Sequence, residues 1–334
     1  MRQALYFEEI GNQEVQCHLC PHNCTLGLNK RGNCRVRKNI DGKLISENFG
    51  LCSSIQFDPI EKKPFYHFYP GSHILSIGSI GCNLNCNFCQ NCEISQTSVD
   101  QYLTGHYYEP EDVVSKAREY PENLGIAFTY NEPTVYFEYM IEIARQSKDL
   151  GMKNVMVSNG FINHDPLHEV LPYIDGFNID LKAFTDSFYK NITNGNLEPV
   201  KETLRAISKA GKHLEITNLL IPSQNDELDE FTGMVAWIRD ELGSDTVLHL
   251  SRYFPAYKSN IQKTSLGLLF NFCETARQYL NYVYLGNVTG SESQNTICSG
   301  CGKIVISRYG YFIQKNGIDP NGNCTHCNNK IVIS

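Results

Sequence analysis

The chain has 334 residues, a net charge of −7, and 41% hydrophobic and 19% charged residues. This acidic balance excludes a surface given over to nucleic acid, and no apolar run reaches the ~20 residues of a membrane span. The start, Met1-Arg2-Gln3-Ala4-Leu5-Tyr6-Phe7, lacks a basic stretch followed by an apolar core, so no secretory signal is expected. Fourteen cysteines without such a signal read as metal ligands in a reducing cytoplasm, not as a disulfide framework.

The first cysteine group is Cys17, Cys20, Cys24 and Cys34, in C-x2-C-x3-C-x9-C order. Four thiolates so spaced suit a tetrahedral zinc site or an iron–sulfur cubane; both favour thiolate, so spacing leaves the choice open. His18 and His22 read as flanking bystanders, and Cys52 as a buried thiol. The Pro-punctuated run from Asp58 to His67 reads as a loop leading into the main domain. The expected organisation is a Cys-rich segment over 1–70, a catalytic domain over 71–290 and a small module over 291–334.

From residue 74 short apolar runs alternate with amphipathic segments. Strands are expected at 74–80, 125–129, 153–158, 176–181, 213–220, 247–251 and 281–285. Helices are expected at 110–119, 133–149, 198–210, 226–242 and 264–280, with Gly151 and Gly211 where two of them end. This alternation predicts βα units and a parallel sheet, with chemistry at the C-terminal ends of the strands. Periodicity alone does not separate a partial barrel from a doubly wound sheet.

Directly after the first of these strands come Cys82, Cys86 and Cys89 in C-x3-C-x2-C spacing. A cubane offers four irons to cysteine ligands. Three thiolates on one tight loop fill three corners and leave one iron open to a small molecule. The bland alternative is part of a zinc site or buried structural thiols. Cys92 is read as packing in the loop wall rather than as a fourth ligand.

The strand ends are polar. The second closes in Asn131-Glu132-Pro133, which also reads as a helix start with Pro at N1 and an acidic residue facing the dipole. The third closes in Ser158-Asn159-Gly160. Asp180 and Lys182, at the end of the fourth, alternate and so share a face, where opposite charges are costly unless paired or used. His249, Arg252 and Tyr253, near the end of a later strand, are candidates for substrate or cofactor contacts, although a lone strand histidine is also at home as a satisfied core residue. Cys273, in a Leu- and Phe-rich helix, reads as core. In the tail, Cys298-x2-Cys301 and Cys324-x2-Cys327 with short β runs read as a zinc ribbon whose four thiolates close a structural site.

The triad, with Phe88 before its last cysteine, resembles the radical S-adenosylmethionine (SAM) superfamily. That resemblance implies a [4Fe-4S] cluster whose open iron chelates the amino and carboxylate groups of SAM, whose reductive cleavage then gives a 5′-deoxyadenosyl radical that abstracts hydrogen. It selects a partial (β/α)6 barrel. Glu132 and Pro133 match a Gly-Gly-Glu-Pro-like segment, with Tyr130 and Asn131 in place of the glycines. Ser158-Asn159-Gly160 and Asp180-x-Lys182 match segments of glycyl-radical-enzyme activases, with Ser158 where these commonly have Asp. Thr217, on the fifth strand, stands where they often carry Arg. By resemblance, Phe88, Asn131, Glu132, Ser158, Asn159, Asp180, Lys182 and Thr217 bind SAM.

Pro59-Ile60-Glu61-Lys62-Lys63-Pro64, His67-Phe68-Tyr69-Pro70-Gly71-Ser72, the loop continuing as Gln90-Asn91, and the terminal ribbon together look like the radical SAM branch of the AmmeMemoRadiSam system, itself similar to pyruvate formate-lyase activating enzymes. That branch commonly has Trp where this chain has Cys92. It implies Memo-family and AMMECR-family partners, and the chemistry needs an electron donor such as flavodoxin or ferredoxin. Alternatives are an activase acting on a partner's backbone glycine and a non-enzymatic zinc-ribbon interaction protein.

Overall fold

In the computed structural model, which describes residues 1–288 and 292–334, eight strands build one curved sheet. They are β1 (Ser54–Pro59), β2 (His73–Gly78), β3 (Asn123–Phe128), β4 (Lys153–Ser158), β5 (Gly176–Asp180), β6 (His213–Leu220), β7 (Val247–Arg252) and β8 (Val283–Gly286), side by side in chain order. Strands β2 to β8 are parallel, and β1 adds an antiparallel edge beside β2. The sheet is partial and barrel-like, with its parallel strands in chain order, as expected. The antiparallel edge was not expected, because Asp58 and Pro59 read as loop.

The crossovers carry α1 (Pro110–Arg118), α2 (Phe137–Asp149), α3 (His164–Val170), α4 (Leu197–Lys209), α5 (Leu228–Leu242) and α6 (Leu266–Arg277). Their apolar residues recur at helical spacing, as in α4, where Leu197, Val200, Leu204 and Ile207 are buried and face the sheet. A Glu109–Asp112 capping box and Pro110 start α1. A 3-10 turn over Pro133–Tyr136, capped by the Glu132 side chain on the Thr134 amide, leads into α2.

Ahead of the barrel lie two three-stranded sheets, formed by Phe7–Gly11, Glu14–Cys17 and Thr25–Leu26, and by Arg2–Gln3, Arg37–Ile40 and Lys43–Ser46. Val15, Leu26, Val36 and Leu44 are buried in the same core as the barrel. The buried Arg37 guanidinium fixes the segment by donating to both Glu138 oxygens on α2, at 3.1 and 2.9 Å, and to the Leu5 carbonyl at 2.6 Å. Removing one partner of such a pair costs about 3–5 kcal/mol.

The tail forms a three-stranded antiparallel unit of Thr296–Ile297, Ile304–Tyr309 and Phe312–Lys315. It docks on residues 66–69, near the N-terminal ends of the barrel strands: the Ile333 amide donates to His67 O at 2.8 Å, the Tyr69 amide to Ile333 O at 2.7 Å, and Arg308 to Tyr66 O at 2.8 Å. The expected boundary between 290 and 291 lies outside the described residues.

Candidate active site

The C-terminal ends of the parallel strands surround a cavity of about 550 Å³. Its wall includes Cys82, Cys86, Phe88, Cys89, Asn131, Glu132, Ser158, Asn159, Asp180, Lys182 and Thr217. All three triad thiols and all eight SAM-contact candidates from the sequence therefore meet in one place, contributed by the β2 loop and the ends of β3 to β6.

Local backbone explains much of this. Strand β2 ends at Gly78, where a Cβ would sit 2.9 Å from both the Thr129 carbonyl oxygen and the Tyr130 Cβ, so the loop after it leaves the sheet in close contact with the end of β3. Tyr130 has φ +72, left-handed for a residue with a side chain. Tyrosine holds that conformation because its hydroxyl donates to Asp58 at 2.7 Å and its ring lies 4.2 Å beneath the Lys63 ammonium. Beside it, Asn131 accepts from the Ser79 amide and donates to Gly81 O, both at 2.9 Å, fastening the strand end to the cysteine loop.

Glu132 is buried, and burial raises its carboxyl while hydrogen bonds oppose that. Its Oε1 accepts from the Thr134 amide at 3.0 Å and Ser158 Oγ at 2.8 Å, and its Oε2 from the Asn159 amide at 2.8 Å. A carboxylate has about four acceptor positions, so a further donor fits on Oε2. The helix-start reading of Glu132 thus holds, and it leaves room for a ligand. Asn159 Nδ2 donates to Asn83 Oδ1 at 2.9 Å and lies 3.6 Å from Cys82 Sγ. Lys182 donates to Asp180 at 2.8 Å; burial works to lower its pKa, but Asp180 and Cys86 more than offset this and hold it charged. Thr217 Oγ1 donates to Asn178 Oδ1 at 2.8 Å.

Burial raises the triad thiols, Cys86 to about 11 and Cys82 well above the ordinary value, with Glu132 adding to the effect at Cys82. Thiols so disfavoured as free anions are suited to a cation-bearing cluster. Beside them stand carboxylate, ammonium, hydroxyl and amide groups able to hold a zwitterion. The donor set fits a thiolate-ligated cluster with an amino-acid ligand next to it.

His249, Arg252 and Tyr253 are not brought to this wall. His249 shares a strand face with Ser251, which does line the cavity, but lies one layer deeper. There its Nε2 is 2.6 Å from Glu215 Oε2, while His213 sits 2.8 Å from Glu215 Oε1 and the Tyr66 and His67 amides also donate to that carboxylate. Burial works to raise the Glu215 carboxyl, but His213 and His249 more than offset this and hold it well below the usual carboxylate range. Arg252 donates to the Thr264 carbonyl at 2.7 Å, and buried Tyr253 to Ser259 Oγ at 2.8 Å. Alternation along a strand gives the face but not the depth, so Ser251 was missed; its position two residues beyond His249 was the available signal. Lys63, Tyr130 and Asn287 also line the cavity without having been singled out.

Of the other thiols, Cys92 opens the short turn Cys92–Ser95, half-buried and outside the cavity wall. Cys52 is buried 3.5 Å from the Tyr139 hydroxyl, and Cys273 is buried in α6. His22, instead of being solvated, bonds to Asn83 O at 2.7 Å. The ribbon thiols converge, with Cys298 and Cys327 sulfurs 3.4 Å apart and Cys301 and Cys324 sulfurs 3.7 Å apart. A tetrahedral site with Zn–S near 2.3 Å places its sulfurs roughly 3.8 Å apart, so the quartet fits a ribbon-type metal site.

A family profile described as the radical SAM superfamily matches residues 76–235. An uncharacterized protein of Methanocaldococcus jannaschii is 40% identical over the whole of this chain and 99% of its own length. The pyruvate formate-lyase-activating enzyme of Clostridium pasteurianum is 22% identical over 48% of this chain and 67% of its own. Streptococcus suis SuiB, in a crystal structure bound to S-adenosylmethionine, superposes with a TM-score of 0.52 at 14% identity, over 64% of this chain and 52% of SuiB. Among the described residues no helix is long and apolar enough to cross a membrane.

Proposed function

Since the chain belongs to the radical SAM superfamily, we propose that it cleaves SAM reductively at the cavity above β2 to β6 and acts on a substrate bound in the same space. The observation that carries this reading is the convergence of Cys82, Cys86 and Cys89 with Glu132 and the Asp180–Lys182 pair on one wall. Cys82, Cys86 and Cys89 would hold a [4Fe-4S] cluster, which would supply the electron for reductive cleavage of SAM and so the radical chemistry on the substrate.

The chain's own residues orient and neutralise. Glu132 Oε2 accepts from the methionine ammonium as a charge-assisted hydrogen bond. Lys182, held charged by Asp180, faces the methionine carboxylate. Ser158 and Asn159 hold Glu132 in place, and Asn159 also approaches the Cys82 sulfur. Asn131 keeps the cysteine loop against β3. Thr217 and Ser251, also in the cavity wall, would face the nucleoside and substrate.

By resemblance, Memo-family and AMMECR-family proteins act with it on a common substrate; in a reducing cytoplasm a flavodoxin or ferredoxin supplies electrons, and zinc fills the two C-x2-C knuckles of the ribbon. The test is anaerobic reconstitution with labelled SAM, scoring 5′-deoxyadenosine with and without each partner. Formation of 5′-deoxyadenosine, enhanced by the partners, supports the proposal; no cleavage by fully metallated protein contradicts it. The activase reading is favoured by the relatives named as pyruvate formate-lyase-activating enzymes. A glycyl-radical doublet in the EPR spectrum of a partner enzyme would select it.

A further inference from the structure

We propose that Cys17, Cys20, Cys24 and Cys34 hold a second iron–sulfur cubane, set against the back of the Cys82 loop, which passes the reducing electron to the reactive site. The four thiols line one cavity, together with Arg37, Asn83 and Thr134. Their spacing separates the two metals that the sequence left open. Among the described residues, the ribbon quartet is the one set of three or more ligand atoms close enough to share a single ion. The N-terminal thiols surround their cavity without closing on one point. A cubane presents a different iron to each thiolate, so it spans such a set where one zinc ion does not.

The cavity wall includes Arg37, whose buried Nε has no hydrogen-bond partner. Buried polar groups are rarely left so. A four-thiolate cluster offers negative charge and a sulfur acceptor to this Nε, and the buried guanidinium, already paired with Glu138, adds the positive field that such an anion needs. Gly32 borders the same space: a Cβ there would lie in ordinary contact with Cys24 Sγ at 3.6 Å and Cys34 Sγ at 3.8 Å.

The two thiol sets are back to back. Gly81, at φ +86, approaches Cys34 so closely that a Cβ would fall 2.6 Å from the Cys34 carbonyl oxygen. Arg35 donates to Cys82 O at 3.4 Å. Asn83, in the wall of the four-thiol cavity, accepts at 2.9 Å from the Asn159 amide that also lies 3.6 Å from Cys82 Sγ. Cys17 and Cys34 are buried, and Cys20 and Cys24 are half-buried. A one-electron donor of the flavodoxin or ferredoxin class reduces the second cluster by one electron. That electron passes to the reactive site, and the second cluster returns to its oxidised state with no bond made or broken.

The relay rests on the radical SAM reading; the metal assignment does not. Its test is the chain with Cys82→Ala, Cys86→Ala and Cys89→Ala combined, reconstituted anaerobically with iron and sulfide. The expected result is about four iron and four sulfide per chain, with a reducible cluster signal in EPR. Two zinc ions per chain and no iron would overturn the assignment. In the otherwise native chain, Cys20→Ser with Cys24→Ser should slow SAM cleavage driven by reduced flavodoxin by about tenfold or more, while cleavage driven by dithionite stays within about twofold. Equal loss under both reductants, or none under either, overturns the relay.

Discussion

The ribbon quartet and the Cys82 triad are both thiol sets on short loops, yet they sit at opposite ends of the barrel and differ in how completely they close. The quartet closes on itself, with sulfur pairs at 3.4 and 3.7 Å, and the unit around it docks on residues 66–69. The triad is one ligand short of a closed site and faces a cavity ringed by strand ends. A complete ligand set uses its metal to hold a fold. An incomplete one leaves a coordination position for chemistry. Between these two sets, the number of thiols that converge, more than their identity, separates a closed site from an open one.

That contrast breaks most visibly at the triad. Replacing Cys82, Cys86 or Cys89 by Ala should lower 5′-deoxyadenosine formation by more than about a hundredfold and remove the cluster's EPR signal, with folding retained by circular dichroism. A variant that kept cleavage would lose its place in the ligand set. Cys298→Ala should do the reverse. Zinc content falls and the tail becomes sensitive to proteolysis, while SAM cleavage stays within about threefold of the native rate.

Glu132 sharpens the comparison because it serves both fold and ligand. Glu132→Ala strands the Thr134 and Asn159 amides and the Ser158 hydroxyl, for an expected stability loss of about 2–4 kcal/mol in denaturant titration. Glu132→Gln should lose less stability yet weaken SAM binding by about tenfold, read by equilibrium dialysis.

A smaller effect is expected where the ribbon meets the barrel. Buried His67 bonds to Ile331 O at 2.7 Å and the Tyr284 hydroxyl at 2.6 Å. Burial lowers its pKa to about 3, with Glu215 opposing and Arg308 adding. Below the ordinary histidine value near 6.5 the unfolded chain therefore takes up a proton that the folded one refuses. Stability should fall as pH drops from about 6.5 towards 3, by at most about 1.4 kcal/mol per pH unit. In chemical denaturation across that range, His67→Gln should flatten this part of the slope; an unchanged slope would place the titration elsewhere. The smallest effect belongs to Cys92→Ala, which should leave cleavage within about twofold, since Cys92 lies outside the cavity wall.

Much of this molecule was legible in its sequence because strong local signals coincided with tertiary roles. The apolar runs of β2 to β8 mark parallel strands, and thiols at ligand spacing mark metal sites whatever surrounds them. The hairpins around Cys17 and Cys34 were hidden, since short exposed strands such as Phe7–Gly11 carry no long apolar period. The edge strand β1 was masked by Asp58 and Pro59. Helix α3, with seven residues and Pro166 in its first turn, fell below helical periodicity. In the site, the residues fixed to a motif line the cavity, whereas His249 does not, because depth along a barrel strand depends on which partner fills the layer, here Glu215.

The central claim is that three thiolates leave one iron open to SAM. Its most direct test is electron–nuclear double resonance on the reduced, reconstituted protein with SAM labelled by 15N at the methionine amino group. Hyperfine coupling from the label, lost in the Cys86→Ala variant, is the predicted result. A fully assembled cluster with no coupling to the label would contradict the account.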